Sequence, residues 1–516
     1  MPMALTKFKK ELKLHQENGF FKNLEIHRGI ERESLRVDHN GSISQKDHPI
    51  GLGSPLTSTD ITTDFSEALI ELITPTFNST KSLFKHLSKL HHFVYRAMEE
   101  EILWNFSMPC AFEDESEIRI AEYGHSNMGM LKHIYRKGLK LRYGSIMQCV
   151  SGIHYNFSLS DTSWLPVVDN VTQEYINEKY LHLIRNVKRN FWFILEQCGA
   201  SPITHKSYLY GRKHSLENYG KEDLFMPFAT TLRMSEVGYQ SPIQESLKIT
   251  YNHLNEFVDA LIKGISAPYK KFKEMGLLDE KGFPQQISTG ILQIENELYD
   301  IIRPKRTGPS GSRPANLLKQ KGIEYIELRG IDVNPFILEG ISENKIKLLD
   351  IFLIHSLISD SPNINKQENE EIKLNQKTMV TNGRSAHVKI LQKGISKDLS
   401  ELRKNFYEEL SLVALAMDEY SPGYLNALES EVVDTSPPSQ KIMRALRDTN
   451  ISFKEFGLSH SQEIAKKFRK KIGGDFSMLL NNSMDSLEQQ KIIEETKDIN
   501  INKYVELYNS KLKRKK

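Results

Sequence analysis

GIERESLRV, Gly29 to Val37, is the stretch whose reading decides the fold. If it is a strand, successive side chains point to opposite faces, and Glu31 and Glu33 share one face about 7 Å apart. Two carboxylates that close repel each other unless a cation lies between them. From this stretch alone, an edge strand with a solvated charged face reads as well as a cation site, because a lone E-x-E is common.

Three further segments shift the balance. ITTDFSEALIELITP, Ile61 to Pro75, carries Asp64, Glu67 and Glu71 inside an apolar run. A strand is expected near 64–74, with Glu67 on the face of Glu71. MQCVSGIHYNFS, Met147 to Ser158, alternates: Gln148, Val150, Gly152, His154 and Asn156 fall on one side, and Cys149, Ile153, Tyr155 and Phe157 on the other. GIEYIELRGID, Gly322 to Asp332, puts Glu327 and Arg329 on one face. Several strands thus offer acids, an imidazole or an amide at period 2. A sheet with one such face is a cavity lined with oxygen and nitrogen ligands. Carboxylate oxygens suit Mg²⁺ or Mn²⁺, and one histidine does not exclude either.

The bulk numbers narrow the class. The 516 residues allow a large core, and 39% hydrophobic with 26% charged residues are globular values. A net charge of +3 is too small to argue for nucleic acid. The three cysteines, Cys110, Cys149 and Cys198, have no C-x-x-C spacing, which fits a reducing cytoplasm and argues against zinc fingers and disulfide frameworks. The first twenty residues lack an apolar signal core, and no run approaches the roughly 20 apolar residues of a membrane span. A cytoplasmic protein without membrane or nucleic-acid partners is expected, acting as a monomer.

Along the chain, residues 1–20 read as an amphipathic helix. Helix spacing runs over 80–104 behind cap candidates Asn78, Ser79 and Thr80, and again over 173–198 with Gly199 as stop. SENKIKLLDIFLIHSLI reads as helix, and the polar SPNINKQENEEIKLNQK, Ser361 to Lys377, as a surface loop. KLKRKK at the C-terminus reads as a solvated, frayed end. Helices among strands without a βαβα rhythm indicate an α+β fold with a largely antiparallel sheet. Residues 1–340 form the expected catalytic core. Residues 341–516 form a mainly helical region packed on it rather than an independent domain. There is neither a P-loop nor a G-x-G-x-x-G after a strand, so a nucleotide would bind through metals and basic side chains.

Such cations are available. IENELYDIIRPKR, Ile294 to Arg306, presents Arg303, Lys305 and Arg306 around Pro304; phosphate binding and a merely charged loop read equally well there. TLRMSEVGYQS supplies Arg233 and Tyr239, and YRKGLKLRYGS supplies Tyr135, Arg136 and Arg142. Acids for metals beside arginines for phosphates match the demands of phosphoryl transfer.

GIERESLRV, TTDFSEALIELITP, SMPC, SGIHYNFS, SYLYGRKHS, QIENELYDIIRPKR and IEYIELRGIDVNPF together resemble the bacterial glutamate–cysteine ligases of proteobacterial type. The resemblance is dense from about residue 20 to 340 and weaker beyond. It implies a glutamine-synthetase-like fold: a curved antiparallel sheet forming a funnel-shaped site, helices outside. It implies ATP-dependent joining of the γ-carboxyl of L-glutamate to the amine of L-cysteine through a γ-glutamyl phosphate, the first step of glutathione biosynthesis. Carried over residue by residue, the ligands for Mg²⁺ (or Mn²⁺) are Glu31, Glu33, Asp64, Glu71, His154 and Glu327. Gln148 and Asn156 would hold glutamate. Tyr239 and Tyr299, with Phe65 and Arg233, would line the cysteine pocket, and Tyr135 would bind substrate. Arg329 and Arg136, with Arg303, Lys305 and Arg306, would serve the phosphates of ATP. Glu67 is expected behind Glu71. Positioning and charge stabilisation suffice for this chemistry, so no enzyme thiol is needed, and Cys149 is expected to be a small buried hydrophobe. The chief rival is a related ligase with a different amine acceptor, which the aromatic pocket residues disfavour. A second ATP-dependent domain that completes glutathione is not expected in this length.

Overall fold

The computed structural model describes residues 3–168, 170–238, 240–433, 436–470, 474–496 and 499–512. Among the sequence expectations, Tyr239 and the last four residues of KLKRKK lie outside the described residues.

Among the described residues, twelve strands follow in chain order: β1 (Ile26–Val37), β2 (Ile61–Thr63), β3 (Leu69–Ile73), β4 (Ile102–Trp104), β5 (Gly152–Leu159), β6 (Ile203–His205), β7 (Glu217–Tyr219), β8 (Asp223–Phe225), β9 (Ile302–Lys305), β10 (Tyr325–Asp332), β11 (Lys389–Gln392) and β12 (Ile395–Asp398). The main sheet runs β2-β3-β1-β5-β10-β9, with β4 on the far half of β1. Every pairing in it is antiparallel. Its edges, β2 and β9, do not meet, so the sheet stays open. β6, β7 and β8 form a second small sheet, and β11 with β12 a hairpin. The fold is α+β, with helices outside the sheet. GIERESLRV is not an edge strand: β1 is flanked by β3 on one side and β5 on the other. Its charged face is therefore an interior feature of the sheet.

The back of the sheet makes the core. Ile30, Tyr155, Phe157, Ile326 and Leu328 are buried there against Leu183, Ile184, Val187 and Phe191 of the Gln173–Cys198 helix, and against Leu349 and Phe352 of the Glu343–Ile358 helix. Full burial of one such side chain contributes about 1.5–3 kcal/mol. The register of β10 shifts between Leu328 and Ile331, a bulge that bends the strand where Gly330 sits. A Cβ at Gly330 would lie 2.1 Å from Cζ of Phe191, so only glycine lets the helix approach the bulge. β1 also sends arginines to this back face. Arg28 Nε lies 2.8 Å from Asp350, its Nη1 donates to Ile26 O, and its Nη2 donates to Tyr424 Oη at 3.0 Å. Arg36 pairs with Glu101 at 3.0 Å.

Other expectations meet specific corrections. The 80–104 segment is a helix only over Thr80–Ala97, capped by Ser79, and then becomes β4. The apolar 64–74 run is a hairpin rather than one strand: β2 and β3 are joined through Asp64–Ala68, with Ser66 Oγ accepting from Leu69 N in the turn. The polar Ser361–Lys377 stretch is not a surface loop. From Lys366 it belongs to a helix, Lys366–Asn382, capped by Asn365 and held by buried Ile372, Asn375, Met379 and Val380. Its Glu, Gln, Lys and Leu residues are good helix formers, and composition alone hid the narrow buried stripe.

The C-terminal helices reach back over the front of the chain. Phe453–Lys470 packs Phe453 and Phe456 on Trp104 and Phe106. Ser477–Glu495 bonds to the Ser54 turn and to Asp60. Ile501–Ser510 sets Val505 and Tyr508 against Leu131 and Ile134 of the Asn127–Tyr143 helix.

Candidate active site

Residues directly opposite each other in an antiparallel pair share a face. Glu33 stands opposite Glu71, and Glu31 opposite His154. Asn156 stands opposite both Gly29 and Glu327, and Glu327 opposite Arg303. The front face thus carries a continuous band of acids, imidazole and amide from β3 to β10, ending in cations on β9. Ligand atoms of Glu31, His154 and Glu327 all lie within 4.8 Å of one another, and so do those of Glu33, Glu71 and His154. The two groups share His154.

Hydrogen bonds fix this band. Glu31 Oε2 lies 3.0 Å from His154 Nδ1, and Glu31 Oε1 accepts from Asn156 Nδ2 at 2.9 Å. Glu33 Oε2 accepts from Gly152 N at 2.7 Å. Glu327 takes Lys305 at 3.1 Å and Arg329 at 2.9 Å, with Arg303 at 4.0 Å. The charges respond differently along the band. Burial would raise the Glu327 carboxyl, but Lys305 and Arg329 hold it well below the carboxylate range. Burial likewise opposes ionisation of Glu31, yet the His154 bond holds it below its ordinary value. Glu33 is raised by burial and by Asp64. Glu71 is raised furthest, by burial and then by Glu31, Glu33 and Asp64. The acids at the β3 end therefore resist ionisation, and the acid at the β10 end is neutralised by its cations.

The remaining candidates divide. Gln148 does not lie on a strand; it sits in a 3-10 turn, Ile146–Cys149, and Gln148 Nε2 donates to Tyr299 Oη at 3.1 Å. Arg233 lies along Gly152, where a Cβ would come within 1.9 Å of its Nη2. Its guanidinium donates to Arg329 O at 3.0 Å and lies 3.5 Å from Asp332. Tyr135 and Arg136 are half-buried on the Asn127–Tyr143 helix, and Arg136 donates to the carbonyls of Thr63 and Asp64. Phe65 is only 1% exposed and packs in the core beneath the hairpin rather than lining open space. Arg306 turns outward to Gln173 and Glu324. Glu67 is not on the face of Glu71; it lies in the hairpin turn and accepts from His48 N and Glu122 N. Arg142 is fully buried, paired with Glu297 at 3.1 Å and stacked 4.2 Å over Phe272, a structural cation. Two groups beside the β2–β3 turn were not anticipated: Tyr123, whose hydroxyl donates to Thr63 O, and Lys132. The available signal for Lys132 was its place four residues before Arg136, one helical turn away.

The three thiols are buried and unpaired with each other. Burial pushes Cys110 up to about 12 and Cys198 up to about 11, and Cys149 well above its ordinary value. A nucleophilic thiol needs the opposite shift.

Known proteins resemble this chain over most of its length. The glutamate–cysteine ligase family model matches residues 10–379. A glutamate–cysteine ligase of Pseudomonas putida is 42% identical over 454 residues, 86% of each chain. One from Saccharophagus degradans is 37% identical over 504 residues, 94% of each. The crystal structure of glutamate–cysteine ligase from Francisella tularensis in complex with AMP superposes with a TM-score of 0.89 at 33% identity, covering 94% of this chain and 98% of that one. Matched by the family model over most of its length, this chain belongs to the glutamate–cysteine ligase family.

Proposed function

We propose that the front face of the sheet performs the ATP-dependent joining of the γ-carboxyl of L-glutamate to the amine of L-cysteine, with Glu31, Glu33, Asp64, Glu71, His154 and Glu327 holding Mg²⁺. The observation that carries this is the band itself: two ligand groups sharing His154, with the carboxyls of Glu33 and Glu71 raised by burial and neighbouring acids and cations flanking Glu327. Hard oxygen ligands with one imidazole suit Mg²⁺, and crowded carboxylates that resist ionisation are what a bound cation relieves. When bound, Mg²⁺ supplies neutralisation of phosphate oxygens.

The chain's own groups do the rest. Asn156 gives its amide hydrogen to Glu31 and keeps a buried Oδ1 without a partner among the described residues, so it can accept from the ammonium of glutamate. Gln148, across from Tyr299, holds the same substrate. Arg329, Lys305 and Arg303 gather at Glu327 and present fixed positive charge to the polyphosphate of ATP, with Arg136 at the other end; Arg306, turned outward, joins them only by moving. A γ-carboxylate oxygen attacks the terminal phosphorus and ADP leaves. The amine of cysteine then attacks the acyl carbon of the γ-glutamyl phosphate, loses a proton and expels phosphate. Tyr299 and Tyr135 belong to the acceptor side with Arg233, a role the resemblance also gives Tyr239, while Phe65 packs in the core beneath the hairpin. No covalent enzyme intermediate is required, and the raised thiols fit that. A cytoplasmic enzyme fits as well, because a thiol substrate needs a reducing compartment. All the proposed groups come from one chain, so a monomer suffices.

The test is ADP release by the purified protein with each substrate omitted in turn. Full turnover is expected only with ATP, L-glutamate, L-cysteine and a divalent cation together. Undiminished turnover in excess EDTA, or a product joined through the α-carboxyl, would overturn the reading.

A further inference from the structure

On the helix Asn127–Tyr143, Lys132 and Arg136 stand one turn apart and both are half-buried. Both lie over the same ring: the Lys132 ammonium is 5.0 Å and the Arg136 guanidinium 4.7 Å from the centre of Tyr123. Among the described residues, every hydrogen bond these two cations make goes to a backbone carbonyl: Leu56 for Lys132, and Thr63, Asp64 and Lys132 for Arg136. Neither has a carboxylate at ion-pair distance among those residues, although the acid pocket ending in Glu71 is near enough to act on Lys132. Like charges at this spacing repel, and withdrawal from water adds to the cost. Two adjacent desolvated cations with no carboxylate at ion-pair distance among the described residues form a place for an anion.

Tyr123 makes the place rigid. It is 1% exposed, donates to Thr63 O at 2.8 Å and accepts from Thr63 Oγ1 at 2.9 Å. The ring is thereby tied to the turn that carries Asp64, so the cations and that acid are held by one residue.

We propose that Lys132 joins Arg136 in binding an oxyanion of a substrate over the face of Tyr123. The inference deepens the ligase reading and rests on it for the identity of the substrates. The oxyanion is either a phosphate of ATP or the α-carboxylate of one of the amino acids. Both offer oxygens for an ammonium and a guanidinium side by side.

The experiment compares the full chain with Lys132→Met and Lys132→Arg. Steady-state constants are measured for ATP, L-glutamate and L-cysteine, and melting curves are taken in EDTA without substrates. Loss of one charge-assisted contact should raise one KM roughly 10-fold or more, with the other two moving less than about 3-fold. A raised KM for ATP identifies a phosphate; a raised KM for glutamate or cysteine identifies that carboxylate. Lys132→Arg should stay within about 3-fold of the parent, because it keeps the charge. Lys132→Met should melt no lower than the parent, since it relieves the repulsion with Arg136. Three unchanged KM values would overturn the inference. So would a lowered melting temperature with all constants impaired and no rescue by arginine, which marks a structural lysine. A well-folded parent protein that releases no ADP from the three substrates would overturn the ligase reading itself, an outcome separate from any difference between the variants.

Discussion

Replacing Glu71 by glutamine should stabilise the metal-free protein. Glu71 faces Glu33 directly across β1 and β3, and their carboxylate oxygens belong to a group spanning no more than 4.8 Å. Two full charges at that separation repel by about 3.5 kcal/mol at an effective dielectric constant of ~20. Part of this is already relieved, because burial and the neighbouring Glu31, Glu33 and Asp64 raise the Glu71 carboxyl well above its ordinary value. About 1–3 kcal/mol should remain near neutral pH. With an unfolding entropy of ~2.1 cal/mol/K per residue, a chain of 516 residues converts this to roughly 1–3 °C in Tm. The direction with pH follows from the raised carboxyl. In the folded chain Glu71 holds its proton above the ordinary 4.5, so its protonated form supports the fold at low pH and that support is lost as pH rises through the folded value. The advantage of Glu71→Gln should therefore grow from pH 5 to pH 8 in EDTA. Adding Mg²⁺ should reverse the order: a ligand at a hundred times its Kd adds about 2.7 kcal/mol to the parent, and the variant has lost a ligand. Differential scanning fluorimetry at both pH values, with EDTA or Mg²⁺, reads all four conditions. A variant that melts below the parent in EDTA at pH 8, or an order that Mg²⁺ leaves unchanged, would refute the reasoning.

Three further outcomes are expected. Gly152→Ala places a methyl 1.9 Å from Arg233 Nη2 and must push that guanidinium from the carbonyl of Arg329; turnover should fall about 100-fold while the melting temperature changes little, and turnover within 3-fold of the parent would show that the position of Arg233 is immaterial. Tyr299→Ala removes the ring from the acceptor side, so the KM for cysteine should rise roughly 10-fold and those for ATP and glutamate less, even though the hydroxyl that meets Gln148 is lost too; equal rises would remove Tyr299 from the acceptor pocket. Cys110→Ser, Cys149→Ala and Cys198→Ser should each keep turnover within an order of magnitude, and the native protein should resist iodoacetamide, because burial keeps all three thiols protonated; complete loss in a well-folded single variant would contradict the mechanism.

The band of acids, imidazole and amide was legible because period 2 is enforced wherever a strand has a dry back. In β1 the apolar Ile26 and Ile30 alternate with Glu31 and Glu33, and in β5 Ile153, Tyr155 and Phe157 alternate with His154 and Asn156. A one-residue slip would have buried the acids, so the pattern fixes the faces. The hairpin at Asp64–Ala68 was not legible, since Ile61 to Ile73 reads as one apolar run without glycine or proline. For the same reason Glu67 was set on the wrong side. Gln148 meets Tyr299 from a 3-10 turn that alternation does not describe. The Lys366–Asn382 helix was hidden because few of its residues are buried, and a mostly wet helix has the composition of a loop. Arg142 and Arg136 read alike on one helix, yet one is sealed against Glu297 and the other stands at the turn carrying Asp64. Only tertiary packing separates them. Lys132 and Tyr123 were invisible as a pair because their meeting depends on the same packing.

The central claim is that a carboxylate oxygen of glutamate is phosphorylated on this sheet face before the amide forms. It is tested most directly by supplying L-glutamate labelled with ¹⁸O in the γ-carboxylate, together with ATP, L-cysteine and Mg²⁺, and measuring the mass of the phosphate released. The account predicts one ¹⁸O atom in each phosphate, carried off when the acyl–oxygen bond breaks. Unlabelled phosphate, formed together with γ-glutamylcysteine, would contradict it.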